Sequence, residues 1–165
     1  MKLHGFTDAD WVGSPTDKKS TSGGIFSIGS TTVSWYSRKQ RSVALSSAKA
    51  EYMASSQAAC EAIWMRKIMV GLFGSHLDPT VIHCDIQSCI KISINLVFHD
   101  ISKHIDIRYH HIRDCVQRNI MLLHYIPTED QDADILTKAL TRSKFEYHRD
   151  RIRVGDNPYL VEMEC

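Results

Sequence analysis

A chain of 165 residues, 43% hydrophobic and 24% charged, is long enough for one domain with a real core and too apolar to be disordered. Its formal net charge of +1 excludes recognition by bulk charge, so charged partners have to be read from local clusters. Five cysteines (Cys60, Cys84, Cys89, Cys115, Cys165) form no CxxC pair, the opening MKLHGF is no secretory signal, and no apolar run approaches the ~20 residues of a membrane helix, which together point to a reducing, intracellular compartment and no membrane partner.

Residues 3–12 read as a strand that begins almost at once, so the chain reads as a piece of something longer. Within it, Asp8 and Asp10 are two apart and share a face, an arrangement that carboxylates disfavour on a strand and that a divalent cation would offset. A polar connector, 12–20, leads to two β-type runs, Ser22 to Gly29 and Thr32 to Ser37, linked as a hairpin. A long helix from about Ser47 to Leu72 follows, ended by Gly71 and Gly74. Val81 to Cys84 is a short strand ending in Asp85, residues 87–96 and 103–118 read as helices, and Met121 to Ile126 is a strand stopped by Pro127. Thr128 and Gln131 fit a capping box that predicts a helix to about Leu140, and a charged helix over 142–153 precedes a loose tail. The order β-β-β-α-β-α-α-β-α predicts one α/β domain around a mixed sheet, residues 1–141, with a C-terminal helix and tail, 142–165.

Four acids stand out of place. Glu51 falls within the stripe Ser47, Ala54, Ser55, Ala58, Ala62, Met65, Met69, Leu72 on the core side of the long helix, where a carboxylate needs a cation, donors or a wet cleft. The ordinary alternative is a first-turn acid favoured by the helix dipole. Ser46 lacks the Glu or Gln three residues on that a capping box needs, so Ser47 is the expected cap. Asp85 sits where an open α/β sheet places its sites, beyond a strand's carboxyl end, or is a plain N-cap. Asp132 and Asp134 lie in one helix start, and helix phase does not separate them. Acids at element ends that a fold could converge suggest a two-metal site for phosphodiester chemistry.

The blocks GFTDADWVG, STSGGIFSIG, VSWYSRKQ, VALSSAKAEYMA, AIWMRKI, HCDIQSCI, NLVFHDISKHIDIRYHHIRD and DADILTKAL follow one another in order. Over about residues 5–140 they resemble the ribonuclease H domain of the Pol polyprotein of copia-type LTR retrotransposons, particularly plant ones. The resemblance implies the ribonuclease H-like fold, a five-stranded mixed sheet of three antiparallel then two parallel strands flanked by helices. It implies an endonuclease that cleaves the RNA strand of RNA–DNA hybrids with two Mg²⁺ ions (Mn²⁺ substituting), beside a reverse transcriptase domain in the parent polyprotein. The isolated domain is expected to be a monomer, in a cytoplasmic particle or the nucleus. By motif, Asp8, Glu51, Asp85 and Asp134 are the catalytic metal ligands, leaving Asp10 and Asp132 as neighbours. Ile86 replaces the family's Asn, Lys49 its Glu and Ala139 its Pro, and the loop before the last acid lacks the His many cellular ribonucleases H carry. None of these changes removes a carboxylate. The alternative is a decayed copy that keeps the fold and at most binds hybrid. An integrase or transposase of similar fold would carry its glutamate last, whereas here it comes second.

Arg38, Lys39 and Arg41, with Lys49, are expected to hold hybrid phosphates, with Trp35 or Tyr36 packing on sugars. The alternative is a solvated edge with a core Trp. Ser88, Lys103 and His104 are expected as further nucleic-acid contacts, and Lys103 and His104 with Arg108, Arg113 and Arg118 are expected to form a second basic stripe, the alternative being an exposed amphipathic helix. His99, His104, His110, His111 and Cys115 invite zinc but complete no recognised ligand spacing.

Overall fold

The structure is a computed structural model that describes residues 2–74, 77–85, 87, 90 and 111–155. It contains β1 (Leu3–Asp10), β2 (Thr21–Ile28), β3 (Thr31–Lys39), α1 (Ser47–Phe73), β4 (Thr80–Cys84), β5 (Met121–Tyr125), two 3₁₀ turns (Thr128–Asp130 and Asp132–Leu136) and α2 (Arg142–Arg151). Residues 111–117 are helical. Most of the expected helices over 87–96 and 103–118, and the residues Ser88, His99, Lys103, His104, Arg108 and His110, lie outside the described residues, although 87 and 90 are helical.

The sheet runs β3-β2-β1-β4-β5. β1, β2 and β3 pair antiparallel, while β4 joins β1 and β5 joins β4 in parallel. The β2–β3 hairpin turns at Gly29, whose φ of 60° supplies the left-handed residue that a tight turn needs. A register shift between Phe26 and Ser27 bends this edge.

α1 packs on the face that carries Leu3, Phe26, Ile82 and Met121, with Tyr52, Ala58, Ala62, Met65 and Met69 from the helix in the same cluster. Its alanines let the helix lie close to the sheet. The large side chains that fill the remaining space, Tyr52 and Phe26, are each fully buried, which stabilises by about 2–3 kcal/mol apiece. Gly24 gives Tyr36 room to lie across β2, since a Cβ there would meet the ring at 2.5 Å.

The boundaries of α1 differ in detail from the expectation. Ser46, not Ser47, is the N-cap, its hydroxyl accepting from Lys49 N at 3.2 Å. Gly71 stays helical, and Gly74 alone ends the helix, in the left-handed region with φ 62°. The first and last members of the expected core stripe, Ser47 and Leu72, are exposed because both lie at the helix ends, beyond the sheet.

The opposite sheet face carries α2 and the 3₁₀ turns. The predicted helix from Thr128 to Leu140 is not formed. The Gln131 side chain does not reach back to cap a helix. Its Nε2 donates to Thr7 O at 2.9 Å and its Oε1 accepts from Ala133 N at 3.3 Å, pinning the segment flat against β1 as two short turns. α2 ends at Arg151, two residues short of the expected span.

Candidate active site

β1 and β4 run parallel with His4 beside Val81, Gly5 beside Ile82 and Phe6 beside His83. Continued two residues, that register sets Asp8 beside Asp85, and strand alternation puts both on the face away from α1. The turn Asp132–Leu136 then brings Asp134 over the same point. Asp8, Asp85 and Asp134 each offer an oxygen within 4.8 Å of the other two. Asp8 and Asp134 are buried, at 2% and 5% exposure.

Hydroxyls and one ammonium surround these acids. Thr137 Oγ1 donates to Asp8 Oδ2, and Thr128 Oγ1 donates to Asp85 Oδ2 at 3.1 Å. Lys138 Nζ lies 2.9 Å from Asp134 Oδ1 and 3.8 Å from Asp8 Oδ2. Asp85 Oδ1 is buried without a hydrogen-bond partner. Thr128, Thr137 and Lys138 were not among the expected site residues. For Thr137 and Lys138 the signal was available, since both stand in the block DADILTKAL directly after Asp134.

Gly23 makes the approach possible. It is the β2 partner of Asp8. A Cβ on it would meet Thr137 Cγ2 at 2.7 Å, Ala133 O at 3.1 Å and Leu136 Cβ at 3.1 Å. The bare backbone lets the acid-bearing turn lie on the sheet.

Glu51 occupies a neighbouring position. It is 2% exposed. Five residues past the N-cap, it lies beyond the first turn, so the helix dipole does not account for it. Its Oε1 accepts from Ala9 N at 2.8 Å, past the last β1–β4 pair, where the strand's N–H has no sheet partner on that side. Glu51 thus sits one residue along β1 from Asp8 but outside the group of three converging carboxylates.

The geometry separates the two ambiguous pairs. Asp10 lies against Gly13, where a Cβ would meet its Oδ2 at 2.1 Å, and is turned toward the connector. Asp132 is buried by α2. His148 Nδ1 lies 2.9 Å from its Oδ1, and Arg151 Nε 3.1 Å from the same atom. Asp132 anchors α2 and Asp134 faces the cluster.

Crowding raises the affinity of these acids for protons. Burial and then the repulsion of Asp8 push Asp134 up to about 6, against the pull of Lys138. Burial, then Asp8, raises Asp85 as well. Burial opposes the charge on Lys138, but Asp8, Asp134 and Asp85 outweigh it and raise the ammonium above its ordinary value. Three hard oxygen donors in so small a space, with Asp85 Oδ1 buried and, among the described residues, without a hydrogen-bond or ion-pair partner, suit Mg²⁺ or Mn²⁺ rather than a soft metal.

A pH dependence follows. The folded-state value for Asp134, about 6, lies above the ordinary 3.8. In the ion-free protein this group's contribution to stability is therefore present below the ordinary value and lost as pH rises through about 6. Thermal unfolding in EDTA should show a melting temperature falling by a few degrees between about pH 4.5 and 7, with a flatter profile for Asp134→Asn. Added Mg²⁺ should raise it more at about pH 7.5 than at about pH 5, because binding requires the deprotonated carboxylates.

A basic cleft of about 600 Å³ opens between the end of β3 and α1, lined in part by Arg38, Lys39, Arg41, Gln57, Cys60 and His111. Gln40 builds its floor. Its Nε2 donates to Ser22 Oγ and to Ala50 O, both at 2.9 Å, tying α1 to β2. Lys39 is drawn to Asp17 at 3.0 Å, an exposed, solvent-screened pair easily exchanged for a phosphate. Trp35 is 64% exposed, so it is not a core residue, whereas Tyr36 is buried beneath Arg38 and cannot pack on a sugar. Cys115 is buried in the core, and no His or Cys joins a metal-binding group among the described residues.

No family model matches the chain. Over 155 residues, 94% of its length, it is 39% identical to the retrovirus-related Pol polyprotein from transposon TNT 1-94 of Nicotiana tabacum, of which it covers 12%. Over 158 residues, 96% of its length, it is 38% identical to the corresponding polyprotein from transposon RE1 of Arabidopsis thaliana, of which it covers 11%. Its homologues are retrovirus-related Pol polyproteins of plant transposons. It spans about a tenth of the length of these Pol relatives. The chain has the ribonuclease H-like fold. It superposes on the RNase H1 of Halobacterium salinarum with a TM-score of 0.59 at 15% identity, covering 83% of this chain and 95% of that one. It superposes on LC11-RNase H1, solved in complex with an RNA/DNA hybrid, with a TM-score of 0.59 at 14% identity, covering 82% and 94%.

Proposed function

We propose that this Pol segment is a copia-type ribonuclease H module, an endonuclease that hydrolyses the RNA strand of RNA–DNA hybrids. The observation that carries the reading is the convergence of Asp8, Asp85 and Asp134 within 4.8 Å at the ends of two parallel strands. In this reading Asp8, Glu51, Asp85 and Asp134 hold two divalent ions, Mg²⁺ or Mn²⁺. When bound, such ions lower the pKa of an attacking water and neutralise charge on the leaving oxygen. Asp8 would be one of the ligands, and its Oδ2 is oriented by the Thr137 hydroxyl. Thr128 fixes the rotamer of Asp85, leaving the second oxygen of that carboxylate toward the cluster. Glu51 holds the end of β1 through Ala9 N and thereby the position of Asp8.

The hybrid's backbone would run along the basic cleft, with Arg38, Arg41 and, after release from Asp17, Lys39 on its phosphates, and the exposed Trp35 beside it. Ser88, Lys103 and His104 are assigned to the same partner by resemblance alone. In the parent polyprotein a reverse transcriptase domain would deliver the hybrid, in a cytoplasmic particle or the nucleus. The alternative of a decayed copy, motivated by the Ile86 and Lys49 departures, is not favoured, since every carboxylate of the set is present.

The test is cleavage of an end-labelled RNA–DNA hybrid by the purified chain in Mg²⁺, with EDTA and with Asp8→Asn as controls. Cleavage confined to the RNA strand and lost in both controls is expected. Cleavage that survives in Asp8→Asn, or none by the parent chain, would sink the reading. Arg38→Ala with Arg41→Ala should raise KM several-fold with little change in kcat. It should also reduce the slope of log affinity against log salt by roughly one for each phosphate that is no longer held, as measured by hybrid binding across a salt series.

A further inference from the structure

Lys138 divides the acid cluster into two unequal halves. Between Asp8 and Asp134 the space is filled, with the ammonium 2.9 Å from Asp134 Oδ1 and 3.8 Å from Asp8 Oδ2. Toward Asp85, no ion pair forms among the described residues, and a buried carboxylate oxygen stands without a hydrogen-bond partner. The turn holds the lysine in place, since Lys138 N donates to Asp134 O at 3.2 Å while the adjacent Thr137 hydroxyl is bonded to Asp8. The side chain is 35% exposed, so its head has a path to water.

A divalent ion bridging Asp8 and Asp134 would sit about 2.0–2.2 Å from their oxygens, in the volume the ammonium fills. The two cations repel one another at that separation and compete for the same oxygens. We propose that Lys138 is a tethered competitor for one of the two ions. In the ion-free protein it neutralises Asp8 and Asp134, and it must swing toward solvent before an ion binds between them. The inference rests on the metal-dependent reading above and adds that the two ions load unequally. The ion next to Asp85 enters first, and the one between Asp8 and Asp134 enters at a concentration set by Lys138. Lys138 is a positioning residue whose charge sets the ion threshold.

Calorimetric titration of MnCl₂ into the purified chain tests this without reference to turnover. The parent chain should show two binding phases. Lys138→Met should tighten the weaker phase by about tenfold or more and leave the stronger within about threefold, while Lys138→Arg, which keeps the charge, should leave both within about threefold. Thermal unfolding is the second readout. Lys138→Met should melt below the parent chain in EDTA and gain more from saturating Mn²⁺ than the parent does, a crossing that simple loss of packing would not produce. Lys138→Gln removes the same charge and carries the comparison if Lys138→Met does not fold. Ion binding unchanged or weakened by loss of the charge overturns the proposal and leaves the metal site standing. A parent chain that binds no Mn²⁺ at millimolar concentration removes the metal-dependent reading and this proposal together.

Discussion

Asp134→Asn should cost hybrid cleavage roughly three orders of magnitude and, at about pH 7.5 without ions, raise the melting temperature by a few degrees. The two effects have one cause. Burial and Asp8 hold the Asp134 carboxyl at about 6, so its charged form is a net burden on the folded state above that pH. An amide of the same shape removes the burden, worth roughly 1–3 kcal/mol, and removes an ion ligand with it. Part of the gain is returned because Lys138 loses its nearer partner and keeps only Asp8, at 3.8 Å. The measurements are hybrid cleavage in Mg²⁺ and thermal unfolding in EDTA. A variant that is inactive and also much less stable would show that the carboxylate holds the fold, contrary to this account. A gain in stability with loss of cleavage is the usual sign of a site strained for its chemistry.

Gly23→Ala should lower stability by about 2–3 kcal/mol and cleavage by roughly tenfold or more, although Gly23 carries no side chain and touches no substrate. The added methyl would meet Thr137 Cγ2 at 2.7 Å, and backbone oxygen and the Leu136 Cβ at 3.1 Å, so the 3₁₀ turn must lift. Lifting it moves Asp134, Thr137 and Lys138 away from Asp8 together. Ion affinity should fall with cleavage, which denaturant unfolding and Mn²⁺ titration on the same preparation would measure. Gly71→Ala, at a helical position with nothing within 4 Å of its Cβ, is the control and should be neutral or mildly stabilising.

The sheet was legible because β1 to β3 carry β-type residues broken by turn residues, and α1 because Ala, Met, Gln and Lys run unbroken from Ser47. Asp8, Asp85 and Asp134 were legible as acids at the ends of elements. Their convergence was not, because it depends on a β1–β4 register that no local pattern encodes. The stretch after Pro127 misled for a definite reason. Thr128 and Gln131 have a capping-box spacing, yet Thr128 is spent on Asp85 and Gln131 on Thr7 O, tertiary bonds that outweigh a helix start. The same bonds explain why helix phase could not separate Asp132 from Asp134. In a 3₁₀ turn that faces α2 on one side and the cluster on the other, the two point apart. Glu51 was rightly read as out of place, but its observed partner, the Ala9 amide, is a main-chain group invisible to residue-type reasoning.

The β1–β4 pairing, which ends at Phe6 and His83 two residues before Asp8 and Asp85, gives the site a ruler made of backbone. Neighbouring strands stand ~4.8 Å apart whatever their side chains. The spacing at which the strands present these two carboxylate stems therefore starts from the hydrogen bonds of the sheet two residues earlier rather than from packing around the acids. Substitutions on the surface, in loops, or even beside the acids leave that distance alone. A one-residue slip in register, or a bulge between Phe6 and Asp8, would not, because it turns one carboxylate to the α1 face. In a sequence drifting by point substitution, the site's dimensions should outlast its affinity for nucleic acid, and an inserted or deleted residue in β1 or β4 is the change most able to end them.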